Sequence, residues 1–289
     1  MEVFDPFSSS AAGPLEELAA LLRAQGVPVP ERALGPLVLD LGAAAETPAG
    51  MRCAAEDFER VVGGLRLLLR ATGLREAVVA AGEVFLEPFR PLRRLLPRRG
   101  ELRALVYEPR PGETGRAALR RMLGAAAFVT AQVCRGAFSA YYEELPFSAR
   151  LVSVWGPQEG ACTFVTLPFG ATALDALTGA GALGEPPWRV IVGGLLDGAA
   201  VTDLNLPLAD GVDALILQRA PKRRAAGACI RCGRCRSVCP AHCEPYRLAL
   251  GRRARLEGCT QCGACSFFCP ARLPLAERIA AAEREEAAV

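Results

Sequence analysis

Apolar side chains recur at helical spacing in two stretches near the N-terminus of the chain. Residues 15–25 carry apolar positions every three or four residues, and Gly26 follows as a stop signal. A longer amphipathic stripe predicts one helix over residues 55–72, ending at Gly73. Short apolar runs predict buried strands at residues 37–41, 77–82 and 102–107. This alternation of strands and helices predicts an α/β layer.

The pattern of the chain changes near residue 150. Before that point, the proline-punctuated and arginine-rich residues 89–100 predict an exposed loop. Beyond it, short apolar runs and one helical stretch predict a compact β-rich module. Its predicted strands lie in RLVSVWG, CTFVTLPFG, WRVIVGG and residues 212–218, and its predicted helix lies near residues 171–179. A basic linker then leads into a cysteine-rich region, and a polar helix closes the chain. The expected divisions are residues 1–149, 150–218, 219–275 and 276–289.

Composition excludes several classes of function. Half of the 289 residues are hydrophobic and 22% are charged, which is typical of a globular protein. The net charge of +3 gives no case for nucleic-acid binding, and no aromatic platform accompanies the arginines. Lys222 and His242 are the only lysine and histidine, so a single imidazole is available for histidine-based acid–base chemistry. The first residues do not resemble a secretory signal, and no apolar run approaches the roughly 18 residues of a membrane span. We expect a cytoplasmic protein, or one peripheral at the cytoplasmic face of a membrane.

Two cysteine runs near the C-terminus carry the chemistry. CIRCGRCRSVCP and CTQCGACSFFCP each place four cysteines at CxxCxxCxxxCP spacing, the pattern of two-cluster bacterial ferredoxins. In that pattern the fourth cysteine of each run binds the cluster of the other run. The predicted ligands of the first [4Fe–4S] cluster are Cys229, Cys232, Cys235 and Cys269. Those of the second are Cys259, Cys262, Cys265 and Cys239. Structural zinc is the alternative, but zinc needs four ligands and does not require a third cysteine at the same interval.

The remaining cysteines give weaker signals. Cys53, Cys134 and Cys162 are scattered along the chain and are expected to be small buried hydrophobes. Cys243 lies four residues after Cys239 and next to His242. It is either a redox-active thiol, an alternative cluster ligand or a thiol without a role.

The motifs together resemble a known family, the C subunit (RnfC) of the Rnf ion-translocating electron-transport complex. The segment CIRCGRCRSVCP…CTQCGACSFFCPARLPL is similar to its ferredoxin module, and RVIVGGLLDGAA to the glycine-rich segment before the clusters. RLVSVWG and the following module resemble its soluble-ligand-binding β-grasp (SLBB) domain. LVLDLGAAAETPAG and the next helix resemble part of its flavin- and NADH-binding domain, which is related to the NADH-binding flavoprotein of respiratory complex I. The resemblance implies a degenerate flavoprotein-like α/β domain, a β-grasp module and an α-rich ferredoxin-type domain with two clusters.

The flavin domain departs from that family at three contacts. The family's GGAGFP-type loop with a nearby lysine is replaced by AQGVPVPERALGPL, which lacks both features. Its acidic stretch is reduced to LGAAAETPAG, which retains at most Glu46, and its Asn-Val-x-Thr contact becomes TAQV at residues 130–133. We therefore do not expect FMN or NADH to bind. The glycine pairs at residues 63–64 and 193–194 are expected to serve helix packing and a strand-to-turn bend, respectively.

The leading hypothesis is an electron-transfer component that relays single electrons through two [4Fe–4S] clusters. Its expected partners are a flavodoxin, a ferredoxin or other members of an electron-transfer or membrane complex, docked on the basic residues 219–255. Arginines at 231, 234 and 236 predict a higher potential for the first cluster, because positive charge favours the reduced form. The competing hypothesis is a flavin-containing, NADH-dependent reductase, which includes corrinoid reductases. A structural zinc protein is the third.

Overall fold

The computed structural model describes residues 15–31, 35–42, 48–96, 101–110, 113–156, 162–182, 188–194, 198–201, 203–209, 211–219, 225–239, 241–259 and 263–287. Its first part is a four-stranded parallel sheet in the order β3–β2–β1–β4. The strands are β1 (Leu37–Asp40), β2 (Ala77–Gly82), β3 (Leu102–Tyr107) and β4 (Ala127–Thr130). All six residues of β2 are buried, as a strand covered on both faces requires. The predicted α/β layer and its three strands are confirmed, and β4 is an additional strand.

Six helices accompany this sheet in the part of the chain that the structure describes. They are α1 (Leu15–Ala24), α2 (Ala49–Glu56), α3 (Phe58–Thr72), α4 (Leu86–Leu95), α5 (Gly115–Leu123) and α6 (Ala131–Tyr142). The single helix predicted over residues 55–72 is wrong, because the backbone leaves helical geometry at Asp57 (φ −151°, ψ 61°) and separates α2 from α3. A 3₁₀ turn, Glu83–Phe85, precedes α4.

The exposed loop predicted at residues 89–100 is also wrong in its first half. Residues 89–95 belong to α4, which has Pro91 inside it. Phe89, Leu92 and Leu96 repeat at helical spacing and are buried against the core. Their burial outweighs the cost of the proline, and residues 97–100 lie outside the described part of the chain.

The glycine pair at residues 63–64 lies where α3 packs against α6. A Cβ atom on Gly64 would lie 1.6 Å from the carbonyl oxygen of Cys134, and one on Gly63 would lie 2.7 Å from the Phe138 ring. The two helix backbones are therefore in direct contact. The helix-packing interpretation of this pair is confirmed.

The second part of the fold is a five-stranded mixed sheet in the order β6–β5–β9–β7–β8. Its strands are β5 (Ala149–Trp155), β6 (Cys162–Pro168), β7 (Trp188–Val192), β8 (Ala199–Val201) and β9 (Ala214–Arg219). Helix α7 (Ala173–Gly179) packs on this sheet and begins with a capping box between Thr172 and Asp175. The predicted strands and helix are confirmed, and β8 is an additional strand. The β-grasp assignment stays a prediction.

The side chain of Gln132 joins helix α6 to the second sheet. Gln132 donates from Nε2 to the carbonyl oxygen of Leu151 (2.9 Å), and its Oε1 accepts from the Leu151 backbone N–H. Gln132 lies in TAQV, the segment that corresponds to a nucleotide contact in the resembled family. Here its amide serves the packing of α6 against β5.

The cysteine-rich part contains three one-turn helices and a longer one: α8 (Arg234–Ser237), α9 (Tyr246–Ala249), α10 (Ala264–Phe267) and α11 (Leu275–Ala287). Leu275 and Ile279 of α11 are buried in the same core cluster as Cys235 and Cys265. A boundary between residues 275 and 276 would therefore cut through a packed helix. Among the residues that the structure describes, no helix has the length and apolar composition that a membrane span requires.

Candidate metal centres

The cysteine-rich part is an internal repeat with an offset of 30 residues. Cys229–Tyr246 corresponds to Cys259–Ala276. Gly233 and Gly263 have the same left-handed conformation (φ 75°, ψ −5°), and each begins a one-turn helix. A residue with a side chain would be strained there, so glycine lets each run turn sharply between its second and third cysteines. The described parts of the two halves therefore make the same turn before their one-turn helices.

The first cavity contains thiols from both runs. Cys229, Cys232 and Cys235 of the first run line it together with Cys269 of the second run. Its remaining wall is mostly apolar and includes Ile230, Arg231, Tyr246, Pro270, Ala271, Leu273 and Leu275. The structure thus brings together the four cysteines assigned to the first cluster. Their role as ligands stays a prediction.

The second cavity has the complementary composition. Cys259 and Cys265 of the second run line it together with Cys239 of the first. Cys262, the fourth predicted ligand, lies outside the described residues. Cys243 also lines this cavity, so the described part of its wall holds four thiols. The cysteine spacing alone does not assign Cys243 to this cavity.

Backbone amides donate hydrogen bonds to the sulfur atom of the fourth cysteine of each run. The N–H of Cys243 donates to Cys239 Sγ (3.3 Å), and that of Leu273 donates to Cys269 Sγ (3.4 Å). Burial raises the pKa of the Cys235 thiol, and the backbone N–H groups of Tyr246 and Arg236 act in the opposite direction. Such amides stabilise thiolate and tune a bound cluster.

A zinc ion and an iron–sulfur cluster require different arrangements of thiols. Within the described ranges, no three histidine, cysteine, aspartate or glutamate side chains form a group that could hold a metal ion. A tetrahedral zinc site needs its sulfur atoms about 2.3 Å from one centre. In a four-iron cluster each thiolate binds a different iron, so the sulfurs surround a cavity instead of converging on a point. The all-sulfur donor set has the softness that iron–sulfur clusters select.

The charges around the two cavities differ in sign. Arg231 lines the first cavity and is exposed, whereas Glu277 lines the second. Arg236 lies 3.5 Å from the Glu244 carboxylate, which also binds Arg247 at 2.7 Å. Part of the positive charge expected near the first run is thereby neutralised. The order of the two potentials stays a prediction.

The isolated cysteines lie in the environments expected of them, with one difference. Cys53 and Cys134 are fully buried, and burial raises the pKa of Cys53 to about 11. Cys162 is only half-buried, at the start of β6. His242 is exposed and has a left-handed backbone (φ 53°).

A half-buried carboxylate occupies the place where an open parallel sheet binds ligands. Strand order reverses at β1, so the crevice beyond the carboxyl ends of β1 and β4 is the usual nucleotide site. Asp40, the last residue of β1, accepts hydrogen bonds from the Gly42 N–H and the Tyr107 hydroxyl, both at 3.0 Å. Desolvation raises the pKa of Asp40. When ionised, this carboxylate repels a phosphate group. Glu46 lies outside the described residues.

Comparisons with known proteins identify relatives of this chain. No family model matches. The C subunit of the proton-translocating ferredoxin:NAD(+) oxidoreductase complex of Clostridium ljungdahlii is 27% identical over 119 residues, which cover 40% of this chain and 26% of the relative. The C subunit of the ion-translocating oxidoreductase complex of Methanosarcina acetivorans is 30% identical over 117 residues, with the same coverage. That of Rhodobacter capsulatus is 26% identical over 214 residues, which cover 68% of this chain and 41% of the relative.

The chain is similar to the C subunits of these complexes. The predicted resemblance is thus confirmed, although the matches span less than half of each relative's length. Among solved structures, a chain of the NAD+-reducing [NiFe]-hydrogenase in the air-oxidized state aligns with a TM-score of 0.54 and 14% identity. The alignment covers 92% of this chain and 60% of that chain. At this level of identity the likeness concerns the fold alone.

Proposed function

We propose that this chain is an electron-transfer component of an oxidoreductase, which relays single electrons through two [4Fe–4S] clusters. The observation that carries the proposal is the exchange of thiols between the two cavities: each is lined by cysteines of one run and by the last cysteine of the other. Cys269 and Cys239 thereby hold the two centres in one folded unit. Such exchange is the pattern of two-cluster ferredoxins.

Each residue set has a distinct role in this proposal. The first cluster would be held by Cys229, Cys232, Cys235 and Cys269, and the second by Cys259, Cys262, Cys265 and Cys239. Each cluster supplies one-electron redox chemistry. The protein holds the thiolates, donates amide hydrogen bonds to sulfur and limits the access of water. Cys232 is exposed, so the electron path reaches the surface beside the first cavity.

The surface near Cys232 supports an acidic redox partner. Ile230 is 65% exposed there, and Arg231 and Arg234 are exposed beside it. An exposed apolar side chain next to two arginines favours transient docking of an acidic protein such as a flavodoxin or a ferredoxin. Because the relatives belong to ion-translocating complexes, another member of such a complex at the cytoplasmic face of a membrane is an equally suitable partner. Nucleic acid is not proposed.

We also propose that the chain has no flavin or NADH site of its own. The Asp40 carboxylate at the carboxyl end of β1 and the engagement of Gln132 with Leu151 both support this proposal. Electrons then have to come from a partner. The alternative hypothesis is a flavin-containing NADH reductase, which would need such a site.

Metal and flavin analysis of anaerobically purified protein tests the proposal. Two clusters predict about eight irons and about eight acid-labile sulfides per chain, with no flavin released on denaturation. Cys229→Ser should lower the iron content, whereas Cys162→Ser, a cysteine outside both runs, should leave it unchanged. Zinc in place of iron would overturn the cluster proposal. Release of about one flavin per chain would favour the reductase.

A further inference from the structure

The internal repeat makes Cys243 the counterpart of Leu273. Both residues follow a residue with a left-handed backbone, His242 (φ 53°) or Arg272 (φ 54°). Both also donate their backbone N–H to the sulfur atom four residues earlier, at 3.3 and 3.4 Å. Leu273 lines the first cavity, and Cys243 lines the second. The second cavity therefore has a thiol where the first has an apolar wall.

The Cys243 thiol is enclosed but weakly held. Its side chain is 2% exposed and shares the cavity wall with Cys239, Cys259 and Cys265. Its sulfur contacts the carbonyl oxygens of Ala241 and Glu257 at 3.9 Å each, distances at which a thiol bonds weakly. Its other hydrogen-bonding partners are the thiols of Cys239 and Cys259, so it already lies beside two predicted ligands of the second cluster. The described wall holds four thiols, and the sequence predicts Cys262 as a further ligand of a cluster that needs four.

We propose that Cys243 is a reserve ligand of the second cluster, that is, a thiol that binds iron when Cys239 does not. This inference rests on the proposed function. While Cys239 ligates, Cys243 stays a protonated thiol in the cavity wall. When the bond from Cys239 is missing, the Cys243 thiol would release its proton to solvent and its sulfur would take the place of the Cys239 thiolate as the fourth ligand. One thiolate replaces another, so neither the charge nor the oxidation state of the centre changes. The first cavity, with Leu273, lacks this reserve.

The equivalent positions of the two halves allow a matched test by ligand deletion. Cys239→Ala and Cys269→Ala remove the corresponding ligand from the second and first clusters. After anaerobic reconstitution we expect Cys239→Ala to retain about eight irons per chain, and Cys269→Ala to lose iron from the first cluster. The double variant Cys239→Ala/Cys243→Ala should lose iron as Cys269→Ala does. Cys243→Ala alone should keep both clusters.

The converse variant introduces a cysteine at the equivalent position of the first cavity. Cys269→Ala/Leu273→Cys should recover the iron lost in Cys269→Ala, and the EPR spectrum of the reduced protein should recover the signal of the first cluster. Circular dichroism shows whether Cys239→Ala folds. If it does not, this double variant still tests whether a cysteine at the equivalent position can serve as a cluster ligand. Recovery supports the proposal, and no recovery with an intact fold overturns it.

The outcomes separate this inference from the proposed function. If the unaltered chain binds no iron, the proposed function itself fails. If it binds two clusters but Cys239→Ala and Cys269→Ala lose equal amounts of iron, only the reserve-ligand role fails. Cys243 is then a packing residue of the cavity wall.

Discussion

Replacement of Gly64 by alanine tests whether the glycine pair of α3 serves packing or binding. The added Cβ would lie 1.6 Å from the carbonyl oxygen of Cys134 and 2.5 Å from its carbonyl carbon. Ordinary contact requires roughly twice the first distance, so α3 and α6 would have to separate by about 1.5 Å. Both partners are helix backbone, and neither can rotate aside as a side chain can.

The size of the effect follows from this forced separation. Overpacking of a core costs about 1–3 kcal/mol and occasionally more, and a clash with backbone belongs at the upper end. Alanine restores about 1 kcal/mol through its better helix propensity. We expect Gly64→Ala to lower the free energy of unfolding by about 2 kcal/mol or more.

Gly63→Ala is the matched control in the same helix turn. Its Cβ would lie 2.7 Å from Cδ2 of Phe138, the ring of a half-buried side chain that can tilt. The gain in helix propensity then nearly offsets the strain, and the net change should stay within about 1 kcal/mol. Denaturation in urea, followed by far-UV circular dichroism, measures both variants.

Iron content provides an independent readout for both variants. The cysteine runs have their own core cluster, so iron per chain should not change in either variant. Equal stability of Gly64→Ala and the unaltered chain would refute the packing argument. A flavin or nucleotide affinity that is lost in Gly64→Ala at unchanged stability would indicate a binding role instead.

Three further predictions concern charge. Spectroelectrochemistry should give the first cluster the higher reduction potential, and the reverse order would contradict this prediction. Glu277→Gln should raise the reduction potential of the second cluster by on the order of 20–90 mV, because it removes a negative charge. That range corresponds to a charge roughly 8 Å away at an effective dielectric constant of about 20–80. Since burial raises the pKa of Asp40, its contribution to stability is present below the ordinary value of 3.8 and is lost as pH rises through the raised one. Asp40→Asn should therefore flatten the pH dependence of unfolding above about pH 4, and an unchanged profile would refute it. Electron transfer to an acidic flavodoxin should slow several-fold with added salt, and Arg231→Gln should weaken that dependence; a rate indifferent to salt would argue against electrostatic docking.

Local patterns alone determine much of this protein. The strand at 77–82 has the bounds that its apolar run predicts, because a strand buried on both faces is an unbroken apolar run. The edge strand at 102–107 also has its predicted bounds, although Arg103 interrupts its apolar run and is exposed. The two cysteine runs and the glycine within each can also be recognised from the sequence alone. Their close spacing is a local requirement of the turn that each run makes.

Other features depend on contacts between distant residues. The division of one predicted helix at Asp57 and the helical state of residues 89–95 follow from what those segments pack against. Gln132 acquires its role only because Leu151 lies beside it. Helix propensity is a weak preference, and burial against a neighbouring element readily overrides it.

Cys243 illustrates the same distinction at the candidate site. Its spacing from Cys239 is compatible with a redox-active thiol, an alternative ligand or a thiol without a role. Tertiary structure places it in the wall of the second cavity and places Leu273 at the equivalent position of the first. The sequence by itself therefore determined which residues could hold metal. Only the packing of the two halves decided that Cys243 shares the second cavity, because that depends on how segments 30 residues apart fold onto one another.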